Sequence, residues 1–305
     1  MKLKNSLLVA AALLATPVVA DSPRPEAPQP REGTIVETAA SVKDFSTLVA
    51  AVKAAGLVDA LNSEGPFTVF APTNAAFERL PKGTVEFLLQ PENKDTLVQI
   101  LTFHVVPGRV TAAEVVKISS APTLEGQRLQ ISAKDGVVKV DGATVSKTDI
   151  NCTNGIVHQI DRVLLPVQEN IVEIAATNGS FNTLVAAVKA AGLVETLSGK
   201  GPFTVLAPTD EAFAKLDPDT LKMLLLPENK EMLVKILTYH VVPGKALYAE
   251  QVATMKELPT VEGSTIPVKV DGKKVMLGDA EVIGVDVEAS NGVVHVIDTV
   301  LIPAK

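Results

Sequence analysis

The strongest constraint on this chain is that it states one text twice. GPFTVFAPTNAAF at 65–77 returns as GPFTVLAPTDEAF at 201–213. FSTLVAAVKAAGL at 45–57 matches FNTLVAAVKAAGL at 181–193, and HVVPG at 104 matches HVVPG at 240, each at an offset of 136. One residue is then added in the second copy, so that NGIVHQID at 154 and NGVVHVID at 291 stand 137 apart. Two modules follow, 32–166 and 167–303, joined with almost no linker through LLPVQENIVEIA. Each is long enough to bury about two thirds of its unfolded surface.

Periodicity orders the elements within a module. Phe45, Leu48, Val49 and Val52 stand at i, i+3, i+4 and i+7, which predicts an amphipathic helix with Asp44 as its cap and Gly56 as its stop. Ser180 takes the place of Asp44 in the second copy. The run FTVFAP predicts a buried strand ended by Pro72. Thr73 then caps the helix bearing Phe77 and Leu80, as Thr209 does for Phe213 and Leu216. A nucleophile would need a His or an acid beside it in sequence, and Thr73 has neither. Further helices run through Leu88 and from Asn93 to Thr102. From Leu124 the period becomes two, with Asp-Gly and Asn-Gly turns at 135, 141 and 154. Helices first and a meander of short strands after them make an α+β module.

The first twenty residues have a basic start (Lys2, Lys4), an apolar run from Leu7 to Ala15, Pro17, and small residues at Val18 and Ala20. They are expected to be a bacterial-type secretory signal cleaved after Ala20. No stretch of about 18 apolar residues is present to span a bilayer. Residues 21–31 hold four prolines in DSPRPEAPQP and read as an extended tether. Losing Lys2 and Lys4 moves the formal net charge from −7 to −9. An acidic chain with no Trp and two Tyr lacks both the basic patch and the stacking platforms that nucleic acid requires. The single cysteine, Cys152, rules out an intrachain disulfide and is expected to be a buried thiol.

TVFAPTNAAF with NGIVHQIDRVLLP, and TVLAPTDEAF with NGVVHVIDTVLIP, resemble the two signature boxes of the fasciclin domain family, with HVVPG between them. The resemblance covers residues 33–303. It implies tandem modules, each with helices packed on a wedge or sandwich of short strands, in secreted or surface proteins associated with cell adhesion and extracellular matrix. It also implies contact positions. In animal members integrin recognition is attributed to an Asp-Ile pair and to a Tyr-His pair flanked by branched aliphatics. This chain offers Asp95–Thr96, Glu231–Met232 and Tyr239–His240, with Phe103 before His104. Asp95, Glu231, Tyr239 and His240 are therefore the expected contact surface. A structural alternative has Asn93 and Asn229 capping the helices, with each acid favouring the helix dipole.

All four histidines are paired across the repeat: His104 with His240, and His158 with His295. His158 shares a strand face with Ile156 and Ile160 while Asp161 faces away, and the same holds for His295 and Asp298. These residues are expected to be structural, with no metal or cofactor. No nucleophile elbow, phosphate loop, H-E-x-x-H or Cys-x-x-Cys is present. The expected function is a non-enzymatic adhesion or matrix protein, exported to the periplasm or beyond. Its partner would be a cell-surface or matrix protein or a polysaccharide. Two alternatives stay open: a carrier of an apolar lipid or pigment, and a hydrolase with an unrecognised site.

Overall fold

The computed structural model describes residues 33–272 and 274–303. The expected signal over 1–20 and the tether over 21–31 lie outside the described residues. Module one runs α1 (Ile35–Ala40), α2 (Ser46–Ala55), α3 (Val58–Asn62), β1 (Phe67–Pro72), α4 (Asn74–Glu78), α5 (Thr84–Leu88) and α6 (Lys94–Phe103). It continues with β2 (Val105–Pro107), α7 (Ala112–Val115), β3 (Ser120–Pro122), β4 (Arg128–Lys134), β5 (Val137–Val140), β6 (Ala143–Cys152) and β7 (Gly155–Ile160). Module two repeats the order. Its elements are α8 (Ile171–Asn178), α9 (Asn182–Ala191), α10 (Val194–Ser198), β8 (Phe203–Pro208), α11 (Asp210–Ala214), α12 (Pro218–Leu224) and α13 (Lys230–Tyr239). They are followed by β9 (Val241–Pro243), α14 (Ala249–Val252), β10 (Glu257–Pro259), β11 (Thr265–Asp271), β12 (Lys274–Leu277), β13 (Ala280–Ala289) and β14 (Gly292–Ile297).

The strand FTVFAP, isolated among helices in sequence, does not stand apart from the meander. The sheet order is β2-β1-β7-β6-β5-β4-β3, and β1 lies parallel to β7 with Phe67 opposite Gly155 and Pro72 opposite Ile160. The physical reason is burial. Every residue from Thr68 to Pro72 is buried, so both edges of β1 need hydrogen-bond partners, which β7 and β2 supply. The expected Asp-Gly turns do close the hairpins. Asp135 and Asp141 take positive φ ahead of Gly136 and Gly142, as a two-residue turn of this kind requires.

Alternation along β1 divides each module into two cores. Val69 and Ala71 face the helices, packing with Phe45, Leu48 and Val52 and with Leu97, Ile100 and Leu101 of α6. Phe70 faces the other way and meets Ile160, Leu129, Ile131 and Val140, so the sheet curls around a second cluster. Module two has the same pair of cores. Among the described residues no core cluster draws members from both modules. The second module begins as the first does. Thr34 and Asn170 form capping boxes with Glu37 and Glu173, and Asn154 and Asn291 accept from the backbone N–H groups of Ile35 and Ile171.

The helix caps correct two expectations. Asp44 does not cap α2; it lies within a 3-10 turn (Lys43–Phe45), and Ser180 makes no side-chain cap on α9. The cap comes from across the fold. Asn74 Oδ1 accepts from Thr47 N–H at 3.0 Å while its Nδ2 donates to Lys43 O, and Asp210 accepts from Thr183 N–H at 2.7 Å and from Asn182 N–H. Thr73 and Thr209 do cap their own helices, accepting from Ala76 and Ala212 at 3.2 Å. The residue after each threonine therefore pins a second helix start to the end of β1 or β8. Replacing Asn74 or Asp210 with Ala is expected to cost about 1–2 kcal/mol in urea unfolding. Asn74→Asp, which keeps the acceptor, is expected to cost less. Equal losses for both Asn74 variants would show that the cap is not the reason.

Candidate functional site

Each histidine uses both ring nitrogens on backbone. His104 Nδ1 donates to Ile100 O at 2.7 Å, and its Nε2 accepts from Leu164 N–H at 3.0 Å. His240 does the same with Ile236 O and Leu301 N–H. His158 donates from Nε2 to Val110 O at 2.9 Å and accepts at Nδ1 from Asp149 N–H, and His295 repeats this with Leu247 O and Asp286 N–H. An imidazole that bridges a carbonyl and an N–H is held neutral in one tautomer, with no lone pair left for a metal or a substrate proton. Burial pushes the His104 and His240 imidazoles down to about 4 against the pull of the Ile100 and Ile236 carbonyls. It lowers His158 and His295 as well.

Sequence reading missed the threonines that complete these bridges. Thr68 and Thr204 are fully buried in β1 and β8. Thr68 Oγ1 accepts from Val110 N–H and donates to Gly108 O, while His158 takes Val110 O. One loop residue is thus fastened through both its polar atoms. Thr204 and His295 hold Leu247 identically. The only available signal was the polar residue inside an otherwise apolar strand, present in both copies.

The two aspartates sit at the rim, away from the histidines. Asp161 accepts from Thr144 N–H at 2.6 Å and pairs with Arg79 at 2.8 Å, and Asp298 accepts from Glu281 N–H at 2.8 Å and pairs with Lys215 at 2.8 Å. Among the described residues no group of three or more His, Cys, Asp or Glu side chains is placed to hold a metal ion. Cys152 is buried in the helix-side core.

The expected contact residues divide. Asp95 and Glu231 are exposed in the first turns of α6 and α13. Tyr239 and His240 are not on the surface, which corrects their assignment. Tyr239 is the last residue of α13, packed in the sheet-side core with its hydroxyl donating to Thr265 O, and His240 is 2% exposed. They fall inward because α13 ends against the sheet and its last turn has core on two sides. Asn93 and Asn229 do not cap either. Their Nδ2 groups donate to Phe87 O and Met223 O at 2.7 Å, tying the preceding helix end to a 3-10 turn. This α5–turn–α6 corner exposes Phe87 and Leu89, and the α12–turn–α13 corner exposes Met223, Leu225, Leu226 and Met232. Each module thus exposes an acid and apolar side chains on the same helix–turn–helix segment.

Two α+β modules of identical topology, each with its buried histidines and strand threonine bonded to backbone, define a tandem-module protein. The sequence profile of the fasciclin domain matches residues 43–166 and 179–303, and the chain belongs to the fasciclin domain family. It is 62% identical over 133 residues to protein sll1483 of Synechocystis sp., an overlap covering 44% of this chain and 73% of that one. To the pig transforming growth factor-beta-induced protein ig-h3 it is 37% identical over 247 residues, 80% of this chain and 35% of that one. The chain therefore spans about a third of the length of that animal relative. A solved FAS1 domain pair from the insect cell adhesion molecule fasciclin I aligns with a TM-score of 0.43 and 22% identity, over 88% of this chain and 98% of that one.

The neutral histidines make stability depend on pH with a definite sign. The unfolded imidazole binds its proton near 6.5, whereas buried His104 and His240 resist it down to about 4. Their contribution is fully present above about pH 6.5 and is lost as pH falls toward 4, on the order of 3 kcal/mol for each. The urea midpoint is expected to drop over that window. His104→Asn, which keeps a donor near the Nδ1 place and cannot titrate there, should lower the midpoint at neutral pH and flatten the profile. An unchanged slope in that variant would remove the histidine from the account.

Proposed function

We propose that the chain is an exported bacterial adhesion or matrix-interaction protein without enzymatic activity, whose two modules attach to a cell-surface or matrix protein or a polysaccharide. The observation that carries this reading is a corner that both modules expose: the α5–turn–α6 segment carries exposed Phe87, Leu89 and Asp95, and the α12–turn–α13 segment carries exposed Met223, Leu226, Glu231 and Met232. Exposed apolar side chains rimmed by charge are the usual composition of a contact surface. Membership of the fasciclin family supports the reading through that family's association with adhesion and extracellular matrix. Similarity to a Synechocystis protein supports the bacterial source. Among the described residues no helix is long and apolar enough to cross a membrane. Export rests on the leader-like residues 1–20, with Ala20 as the last residue removed.

The carrier reading finds no support in the interior. The apolar cavities between helices and sheet hold about 30 Å³ in each module, room for about one water rather than a lipid or pigment.

Attachment of the full chain to purified envelopes of its own cells, and to the polysaccharide extracted from them, tests the proposal. Asp95→Ala, Glu231→Ala, Phe87→Ser and Met232→Ser are each expected to leave the melting temperature nearly unchanged and to weaken attachment several-fold, as about 1 kcal/mol per contact gives. Attachment that survives all four changes together would place the contact surface elsewhere.

A further inference from the structure

We propose that Arg128, at the start of β4, is the centre of a clamp that fixes module two on module one, and that its parts are built for this one junction. Three side chains of module two converge on it from two elements. Arg128 N–H donates to Glu288 Oε1 at 3.0 Å, and Tyr248 Oη donates to the same oxygen at 2.9 Å. The Arg128 guanidinium lies 4.3 Å from the centre of the Tyr248 ring and pairs with the Glu250 carboxylate, while Nη1 donates to Ser120 Oγ in its own module. Its neighbour Gln127 reads the connecting chain, donating to Val167 O at 2.9 Å and accepting from Val167 N–H at 2.8 Å. A planar guanidinium stacked on an aromatic ring and forked to acceptors has one orientation, unlike a pair of point charges.

Packing alone does not set the angle between modules. Each core is closed within its own module. An open cleft of about 750 Å³ separates Gln99 and Thr102 from Lys200 and Gly201 on one side of the clamp. A second of about 520 Å³ separates Ser119 and Gln130 from Val285 and Asp286 on the other. The junction is a narrow polar pier between two gaps, so the clamp and the short connection carry the orientation.

The repeat shows that these residues serve the junction and not the module. By position in the matching elements, Arg128 of β4 corresponds to Thr265 of β11, and Tyr248 before α14 corresponds to Thr111 before α7. Glu250 corresponds to Ala113, and Glu288 of β13 to Asn151 of β6. Asn151 is occupied within module one by Arg109. The facing sides carry the clamp and the outward-facing equivalents lack every part of it. Each module folds around the alternative residue, which supplies substitutions that the module's architecture already accommodates.

The test is the spin-label distance distribution between Lys53→Cys and Lys189→Cys, two exposed, equivalent positions on α2 and α9, in the full chain. The parent is expected to give one narrow population. Arg128→Thr is expected to broaden it about twofold with unchanged circular dichroism, and Glu288→Asn and Tyr248→Thr to broaden it in the same direction. Should Arg128→Thr fail to fold, the other two variants read the same clamp from module two. A parent distribution already broad, or variants as narrow as the parent, would overturn the proposal.

Discussion

Each module depends on one long-range pairing, the parallel contact of β1 with β7. It joins residues far apart in the chain and brings two turns into direct backbone contact. At that contact a side chain cannot fit. A Cβ on Gly155 would lie 2.1 Å from Phe67 O, and one on Gly65 would lie 2.1 Å from Asn154 O. The Gly-Pro-Phe and Asn-Gly texts are therefore two sides of one contact, which explains why they recur together at 201 and 291. Once β1 is in place, Thr68 and His158 fasten the loop at Val110 and Asn74 draws in the start of α2. His104 ties the end of α6 to the chain leaving toward the second module.

Much of this was legible in the sequence because it is local. The threonine caps, the Asp-Gly turns and the amphipathic helices each depend on residues a few positions apart, and the repeat was legible because it is written twice in sequence. What was illegible depends on partners brought together by the fold. Asp44 looked like a cap because it stands where caps stand, yet the acceptor comes from Asn74, 28 residues away from Ser46. The exchange of Asn74 for Asp210 across the repeat was a usable hint, since the two share a side-chain acceptor. Tyr239 and His240 were misplaced for a related reason. A motif that resembles a contact pair says nothing of whether the helix carrying it ends in solvent or against a sheet.

The division of labour that results is simple. The four histidines, Thr68 and Thr204, and Asp161, Asp210 and Asp298 are consumed in holding backbone. Among the described residues, the corner between α5 and α6 and its counterpart between α12 and α13 each leave apolar and acidic side chains facing solvent. For the proposed attachment role, a pair of such surfaces gains from being held at a fixed separation. In that role the Arg128 clamp would matter through geometry, by keeping the angle between the two corners.

The buried imidazoles are neutral bridges between backbone groups. Long-range proton–nitrogen correlation spectra of the histidine side chains at neutral pH test this most directly. His104 and His240 are predicted to carry their proton on Nδ1 alone, and His158 and His295 on Nε2 alone, in slow exchange with solvent. An imidazolium signal, or rapid averaging between tautomers at any of the four, would contradict the account and return that residue to the list of reactive groups.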